Sequence, residues 1–443
     1  MTTSDAIEVA ARAVDLALQL GAQSAEASLS VAQRLHVEAR DTTVSKLERS
    51  TGSGVHLRLW RDSRRASVVS TDLHADALRA AIVRGLDQLG YVAKDPYAGL
   101  PDACGEYAGD LELVDTSIPA RDDAEKVADA LALERAIRAA DPRIVNSSGS
   151  HYADAYSTIA LANSNGFRGV YSATSASRST APLAQEDGHK RTGHYGTAGR
   201  FIRDLEGNAA VAGVAARRAL EMFGARKPPT MHAAVIFERD VAAAVLSNIF
   251  AAVAASHVAV GNSWLADRIG ERVGSELVTI VDDGTLPGRL GSGPFDGEGV
   301  STRRTPVFEA GVLRSFLYDS YYARKLGAKT TGNSTGGGVA ANNFYLEPGS
   351  GTLAELIAAT PRGVLVLDTI GFATEHATGT YSRGARGFMI ENGELAYPID
   401  EFTVAGNFPD MLAAVDAVAS DLRFDGSTVS PSFRVGQMTI SGN

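Results

Sequence analysis

Cysteine is almost missing from this chain: Cys104 is the one thiol in 443 residues. A lone thiol closes no internal disulfide and builds no Cys-rich zinc knuckle, so the composition fits a reducing, cytoplasmic compartment. Long apolar runs are missing as well. The longest stretch, Ala242 to Val260, is broken by Ser247, Asn248, Ser256 and His257 and preceded by Glu238, Arg239 and Asp240, which reads as a buried helix and no membrane span. Basic charge is in deficit, 42 Lys and Arg against 52 Asp and Glu, for a net −10 at pH 7. Such a chain does not neutralise phosphates along a duplex, which excludes nucleic-acid binding as its main task. A basic secretory leader is not seen either. The first residues carry Asp5 and Glu8, read as an N-cap and its box partner, ahead of a helical stripe of Ile7, Ala11, Val14 and Leu18.

What is present is an ordinary globular balance, 44% hydrophobic and 21% charged, with 45 glycines to make turns. The length predicts two or three domains. Strand-like text at 26–31, 35–40, 54–60, 143–148, 156–162 and 166–175 is interleaved with helical text at 75–90, 124–140 and 208–223. Gly224 and the prolines of ARKPPT then mark the best break in the chain. Beyond it come a strand at 232–237, an Ala-rich helix from about Glu238 to Ala255, and short strands with glycine-rich turns, including 277–281, 312–318, 364–369 and 387–391. Thr352 with Glu355 reads as a capping box opening a short helix. The fold class is therefore α+β: an N-terminal α/β domain over 1–223, a linker at 224–230 and a β-rich, barrel-like or sandwich domain over 231–443.

Chemistry is harder to find. None of the nine histidines stands three or four residues from another, the spacing at which a helix turns two imidazoles onto one zinc ion. His189 and His194, five apart in EDGHKRTGHYG, read as a solvated loop. Asp282, Asp283, Asp296 and Glu298 sit among Asp-Gly and Pro-Gly pairs, where turn capping outweighs acid–base work. Gly332 to Gly336 matches G-x-S-x-G, but a helix-like SYYARKLG precedes it, which is wrong for a nucleophile elbow. One polar stretch, 378–394, sets Tyr381, Ser382, Arg383, Arg386 and Asn392 among glycines, as a peptide-binding lip or a plain hairpin on a barrel rim.

Three long segments resemble one family in order. They are ELVTIVDDGTLPGRLGSGPFDGEGVSTRRTPVFEAGVLRSFLYDSYYARKLGAKTTGNSTGG, then ANNFYLEPG, then TGTYSRGARGFMIENGELAYPIDEFTVAGNFPDML. This text is similar to the TldD/TldE family, also called PmbA or modulator of DNA gyrase, and SRGARGFMIENGE points to the TldE/PmbA branch. The resemblance implies a cytoplasmic two-domain chain in a zinc peptidase complex. In that complex TldD holds the metal through HExxxH and a later cysteine, and TldE is its partner. Here Ser247, Asn248 and Ala252 stand where His, Glu and His would be, and Ser432 is nearest to the cysteine. Neither serine nor alanine replaces imidazole or thiolate on zinc. The expectation is a subunit without a cofactor of its own, paired with a TldD-like HExxxH chain and holding peptides such as antitoxins or ribosomal-peptide precursors. A self-sufficient hydrolase using the carboxylates or His189 and His194, and a homodimeric peptide-binding protein, are the alternatives.

Overall fold

The computed structural model describes residues 2–371 and 374–442. The N-terminal half is built on one seven-stranded sheet made from β1 (Ser24–Arg40), β2 (Thr43–Arg61), β3 (Arg64–Ser70), β4 (Ile144–Asn163), β5 (Arg168–Glu186), β6 (His189–Thr192) and β7 (Tyr195–Gly199). The order is β3-β2-β1-β4-β5-β6, β7 lies along β5, and every pair is antiparallel. With helices α1 (Thr3–Gln19), α2 (Ala75–Gln88), α3 (Ser117–Ala120), α4 (Asp123–Ala139) and α5 (Asn208–Leu220), this half forms a sheet covered on one side. The period of two decides which side. Odd positions of β1 go to the helices, Leu29 with Val14 and Ile82, and Leu35 and Val37 with Ala130. Even positions such as Ser28, lining a cavity against the second half, take the other side.

The second half closes a barrel. Strand β8 (Met231–Phe237) lies between β13 (Arg362–Ile370) and β19 (Phe433–Ser441); β16 (Glu394–Asn407) and β15 (Thr380–Glu391) follow, and β15 pairs back onto β13. Short strands β14 (Thr374–Glu375) and β17 (Val415–Val418) join this sheet at β15 and β19. A second sheet combines β9 (Ile280–Asp283), β10 (Arg304–Glu309), β11 (Val312–Leu313), β12 (Phe344–Leu346) and β18 (Thr428–Val429). Helix α6 (Arg239–Val253) lies between the two sheets, with Val245 and Ile249 in one core with Phe344, Val366 and Phe433. The remaining helices are short: α7 (Ala255–Val258), α8 (Ser320–Leu326), α9 (Leu353–Ala358) and α10 (Phe408–Ala413). The Thr352–Glu355 capping box opens α9 as the spacing predicts.

Several local expectations need correction. The first capping box is one turn earlier: Thr2 is the N-cap and Asp5 its partner, with Thr2 N donating to Asp5 Oδ2 at 2.9 Å. The segments 26–31 and 35–40 are one strand, because β2 and β4 bond β1 from both sides and carry it through polar Gln33 and Arg34. The strand expected at 277–281 shifts to Ile280–Asp283, and that at 312–318 stops at Leu313. Phe316 and Leu317 are apolar because they are core, not because they pair. In ARKPPT the Arg226 guanidinium stacks over the Tyr397 ring at 3.7 Å and Lys227 reaches Glu401.

A charged cleft beside helix α6

Helix α6 begins at Glu238, whose carboxylate accepts from the backbone N–H of Asp240 and satisfies one of the orphan donors of a first turn. Its inner face is apolar. Its first turns also border a cleft of about 590 Å³ between the halves, walled by β5 and β7 on one side and by α6, β13 and β15 on the other. Arg178, Arg218, Arg386 and Arg423 line it together with Asp240 and Asp368. Every guanidinium is held. Arg178 bonds Asp129 at 2.7 Å, Arg218 bonds Asp240 at 2.7 Å, Arg386 bonds Asp368 at 2.8 Å, and Arg423 reaches both Glu206 and Asp425. Tyr195 ties the halves together, donating to Glu206 while Arg239 donates to its hydroxyl at 2.7 Å. His194 lines the same cleft, and burial with the Arg218 charge holds its imidazole below the ordinary range. These walls can orient an extended polar chain. Among the described residues, no group of three or more His, Cys, Asp or Glu is placed to hold a metal ion.

The predicted lip divides. Arg386 belongs to the cleft and also donates to Thr192 O at 3.2 Å, linking β15 to the N-terminal half. Tyr381 does not belong to it. Only 2% of Tyr381 is exposed; its ring meets Phe237 and Phe408 in the core, and burial pushes its hydroxyl up to about 12. Ser382 pairs with Ala405 inside the barrel sheet. Arg383 donates to Gly371 O and to Thr374 Oγ1, away from the cleft lining. Asn392 is a hairpin residue at φ 53, whose N–H donates to Pro361 O. The glycine-rich text around these residues is strand and turn, so spacing on the chain misreports nearness in space.

The four positions that the resemblance set against the zinc motif do not converge. Ser247 donates to Ala243 O at 3.0 Å and Asn248 to Ala244 O at 2.8 Å, so both side chains serve the helix backbone. Ala252 is fully buried and brings no donor atom. Ser432 lies at the N-terminal end of α6, accepting from Arg239 N at 3.0 Å and donating to Asp421 at 2.8 Å. Arg239 and Ser247 are eight residues apart, about 12 Å along a helix. The residues present do not fit a zinc ion.

The acidic segment 282–298 is turn and interface. Asp283 accepts from Thr285 N; Asp296 accepts from Glu298 N, Val300 N and Ser334 N; Asp282 accepts from Asn342 N and from the amides of Asn333 and Asn342. Burial raises Asp282 to about 6 and Asp296 to about 7. Beside them, in the contact between halves, lies a pair that sequence reasoning missed. Arg58 donates to Glu26 and to the carbonyls of Gly297 and Gly336, with both charged side chains buried. No spacing rule could find it, because Arg58 and Gly336 lie 278 residues apart. Ser334 is no elbow nucleophile, since its hydroxyl accepts from Gly336 N in this turn. His189 is exposed on β6, away from His194 in the cleft wall.

Comparisons with known proteins agree with this architecture. Three family models match in order: PmbA/TldA metallopeptidase domain 1 over 25–88, the central domain over 117–223 and the C-terminal domain over 230–442. Metalloprotease PmbA of Escherichia coli O157:H7 is 32% identical over 97% of this chain and 95% of its own. The PmbA homologue of Haemophilus influenzae is also 32% identical, over 97% of this chain and 95% of its own. Among solved structures, a protein described as a modulator of DNA gyrase from Bacteroides thetaiotaomicron superposes with a TM-score of 0.92 at 28% identity, covering 98% of both chains. TldE from Thermococcus kodakarensis shares the fold, with a TM-score of 0.88 at 19% identity over 97% of this chain and 99% of its own. The chain belongs to the PmbA/TldD metallopeptidase family.

Proposed function

We propose that this chain is the TldE-like, zinc-free subunit of a cytoplasmic two-chain peptidase. In this reading a TldD-like HExxxH partner brings the metal, and this chain helps to wall the chamber and hold an extended peptide. One observation supports it: at the α6 positions where the resemblance would put the metal motif, Ser247 and Asn248 bond the helix backbone and Ala252 is buried. The substrates follow from the family: unfolded or modified peptides, antitoxins and ribosomal-peptide precursors with a leader to remove. The ion-paired walls of the cleft suit them, since fixed guanidinium and carboxylate groups orient a peptide without requiring one sequence. A hydrolase run by Asp282 or Asp296 gains no support, because their oxygens are engaged by backbone and amide N–H groups.

The test is reconstitution. The chain is purified alone and with an HExxxH-bearing relative from the same genome, and cleavage of a precursor leader peptide is followed by mass spectrometry. Cleavage only in the mixture is expected. Cleavage by the lone chain, removed by a chelator or by Asp296→Ala, would overturn the reading.

A further inference from the structure

Apart from the charged cleft, a cavity of about 520 Å³ lies between the halves where the segment 92–98 meets helix α8. Its walls are fixed. The Arg324 guanidinium donates to the carbonyls of Tyr97, Gly99 and Leu100 and ties that segment to α8, while Arg58 holds the carbonyl of Gly336, another lining residue. Two carboxylates form the floor. Asp319 is 4% and Glu298 8% exposed, and each spends one oxygen on the start of α8: Asp319 Oδ1 accepts from Tyr322 N at 2.7 Å and Glu298 Oε2 from Ser320 N at 3.0 Å. Among the described residues, Asp319 Oδ2 and Glu298 Oε1 accept no hydrogen bond, and Arg58 Nη1 stays 4.0 Å from Glu298 Oε1. A cap needs no buried charge, since serine serves as well, and a buried carboxylate short of donors is costly. Burial raises the Asp319 carboxyl to about 6. The spare oxygens call for a donor that the chain does not supply.

The rim carries the opposite sign. Arg65 and Lys94 are exposed, line the cavity and, among the described residues, make no ion pair or side-chain hydrogen bond. Arg65 stands near enough for its charge to act on Asp319. The rest of the lining includes Tyr321 and Tyr322, edge to face at 4.9 Å, with Val92 and Pro96. We infer that this cavity is a site for a free α-amino acid with an aromatic or large apolar side chain. Its ammonium meets Asp319 Oδ2 and Glu298 Oε1, its carboxylate meets Arg65 and Lys94, and its side chain packs against the two tyrosines. Charge-assisted bonds at both ends fix its orientation. The signs exclude simpler ligands. A phosphate or a dicarboxylate would face the acidic floor, and a diamine would bring its second ammonium to the two cations. A metal ion would find only two carboxylates, and among the described residues no group of three or more His, Cys, Asp or Glu is placed to hold one. The volume lies within the roughly 300–1,000 Å³ of ordinary small-molecule sites. Glu298 also stands beside Arg58, whose bonds to Gly297 and Gly336 join the halves, so an occupant braces that contact. The site is separate from the charged cleft and needs no partner subunit.

The experiment is isothermal titration calorimetry on the full chain with L-phenylalanine, N-acetyl-phenylalanine and phenylalanine amide. L-Phenylalanine is expected to bind one site with a Kd below about 1 mM. Acetylation removes the ammonium and amidation removes the carboxylate, and each is expected to weaken binding at least tenfold. Asp319→Asn keeps a residue that caps α8 and is expected to weaken L-phenylalanine at least tenfold. Arg65→Gln with Lys94→Gln changes only exposed side chains, so folding is preserved even where Asp319→Asn fails to fold. This pair should weaken L-phenylalanine at least tenfold and leave the amide unaffected. Three results would each overturn the inference: no binding of L-phenylalanine at about 10 mM, tenfold above that Kd; an acetylated or amidated ligand that binds as tightly; or a rim variant that binds L-phenylalanine like the wild type.

Discussion

Glu26 offers the sharpest physical test of how the halves are joined. It is 1% exposed, one oxygen bonds Arg58 and the other has no partner, and burial outweighs the Arg58 charge, raising its carboxyl to about 8. The sign follows from proton counting. In the unfolded chain Glu26 titrates near 4.5, so between that value and about 8 the folded state binds more protons than the unfolded state. Stability from this group is then fully present below pH 4.5 and is lost as pH rises toward 8. One group contributes at most about 1.4 kcal/mol per pH unit. The pull of Arg58 is already contained in the value of about 8, so the loss across this window is at most about 5 kcal/mol. Glu26→Gln keeps the shape and an acceptor for Arg58 but cannot ionise. Urea unfolding of both proteins at about pH 5, 6.5 and 8 measures the difference, and the variant should show the flatter profile. If the two profiles run parallel, Glu26 does not titrate in this window and the desolvated contact is wrongly described.

Other perturbations separate core from site. Tyr381→Ala should cost about 3–5 kcal/mol in urea unfolding, whereas Tyr381→Phe should cost little and leave peptide binding in the reconstituted complex unchanged. Gly387→Ala should prevent folding to a stable barrel, since a Cβ there would lie 1.8 Å from Leu365 O across the β13–β15 seam, and circular dichroism would show it. Asp296→Asn should destabilise by about 1–3 kcal/mol, because an amide nitrogen would face backbone N–H donors now satisfied by the carboxylate; thermal melting at fixed pH measures it.

Local signals carried much of this fold. The α6 text and the Thr352–Glu355 box each needed only neighbouring residues, and the long family-like segments located the barrel half. Two kinds of feature stayed hidden. The first half of β2 has no apolar alternation to betray a strand, because it is bonded by β1 without being buried. The cleft and the Arg58 contact join residues from distant strands, and no spacing in TGTYSRGARGF reveals that Tyr381 turns into the core while Arg386 turns toward Thr192. The resemblance named Ser247, Asn248, Ala252 and Ser432 but carried no geometry for them. Only the fold places Ser432 two turns of α6 away from Ser247.

Metal analysis of the purified chain tests the central claim most directly. Dialysed against buffered zinc and measured by plasma mass spectrometry, the lone chain is expected to retain only a trace, while the complex with its HExxxH-bearing relative retains a stoichiometric amount. Stoichiometric zinc on the lone chain would contradict the account.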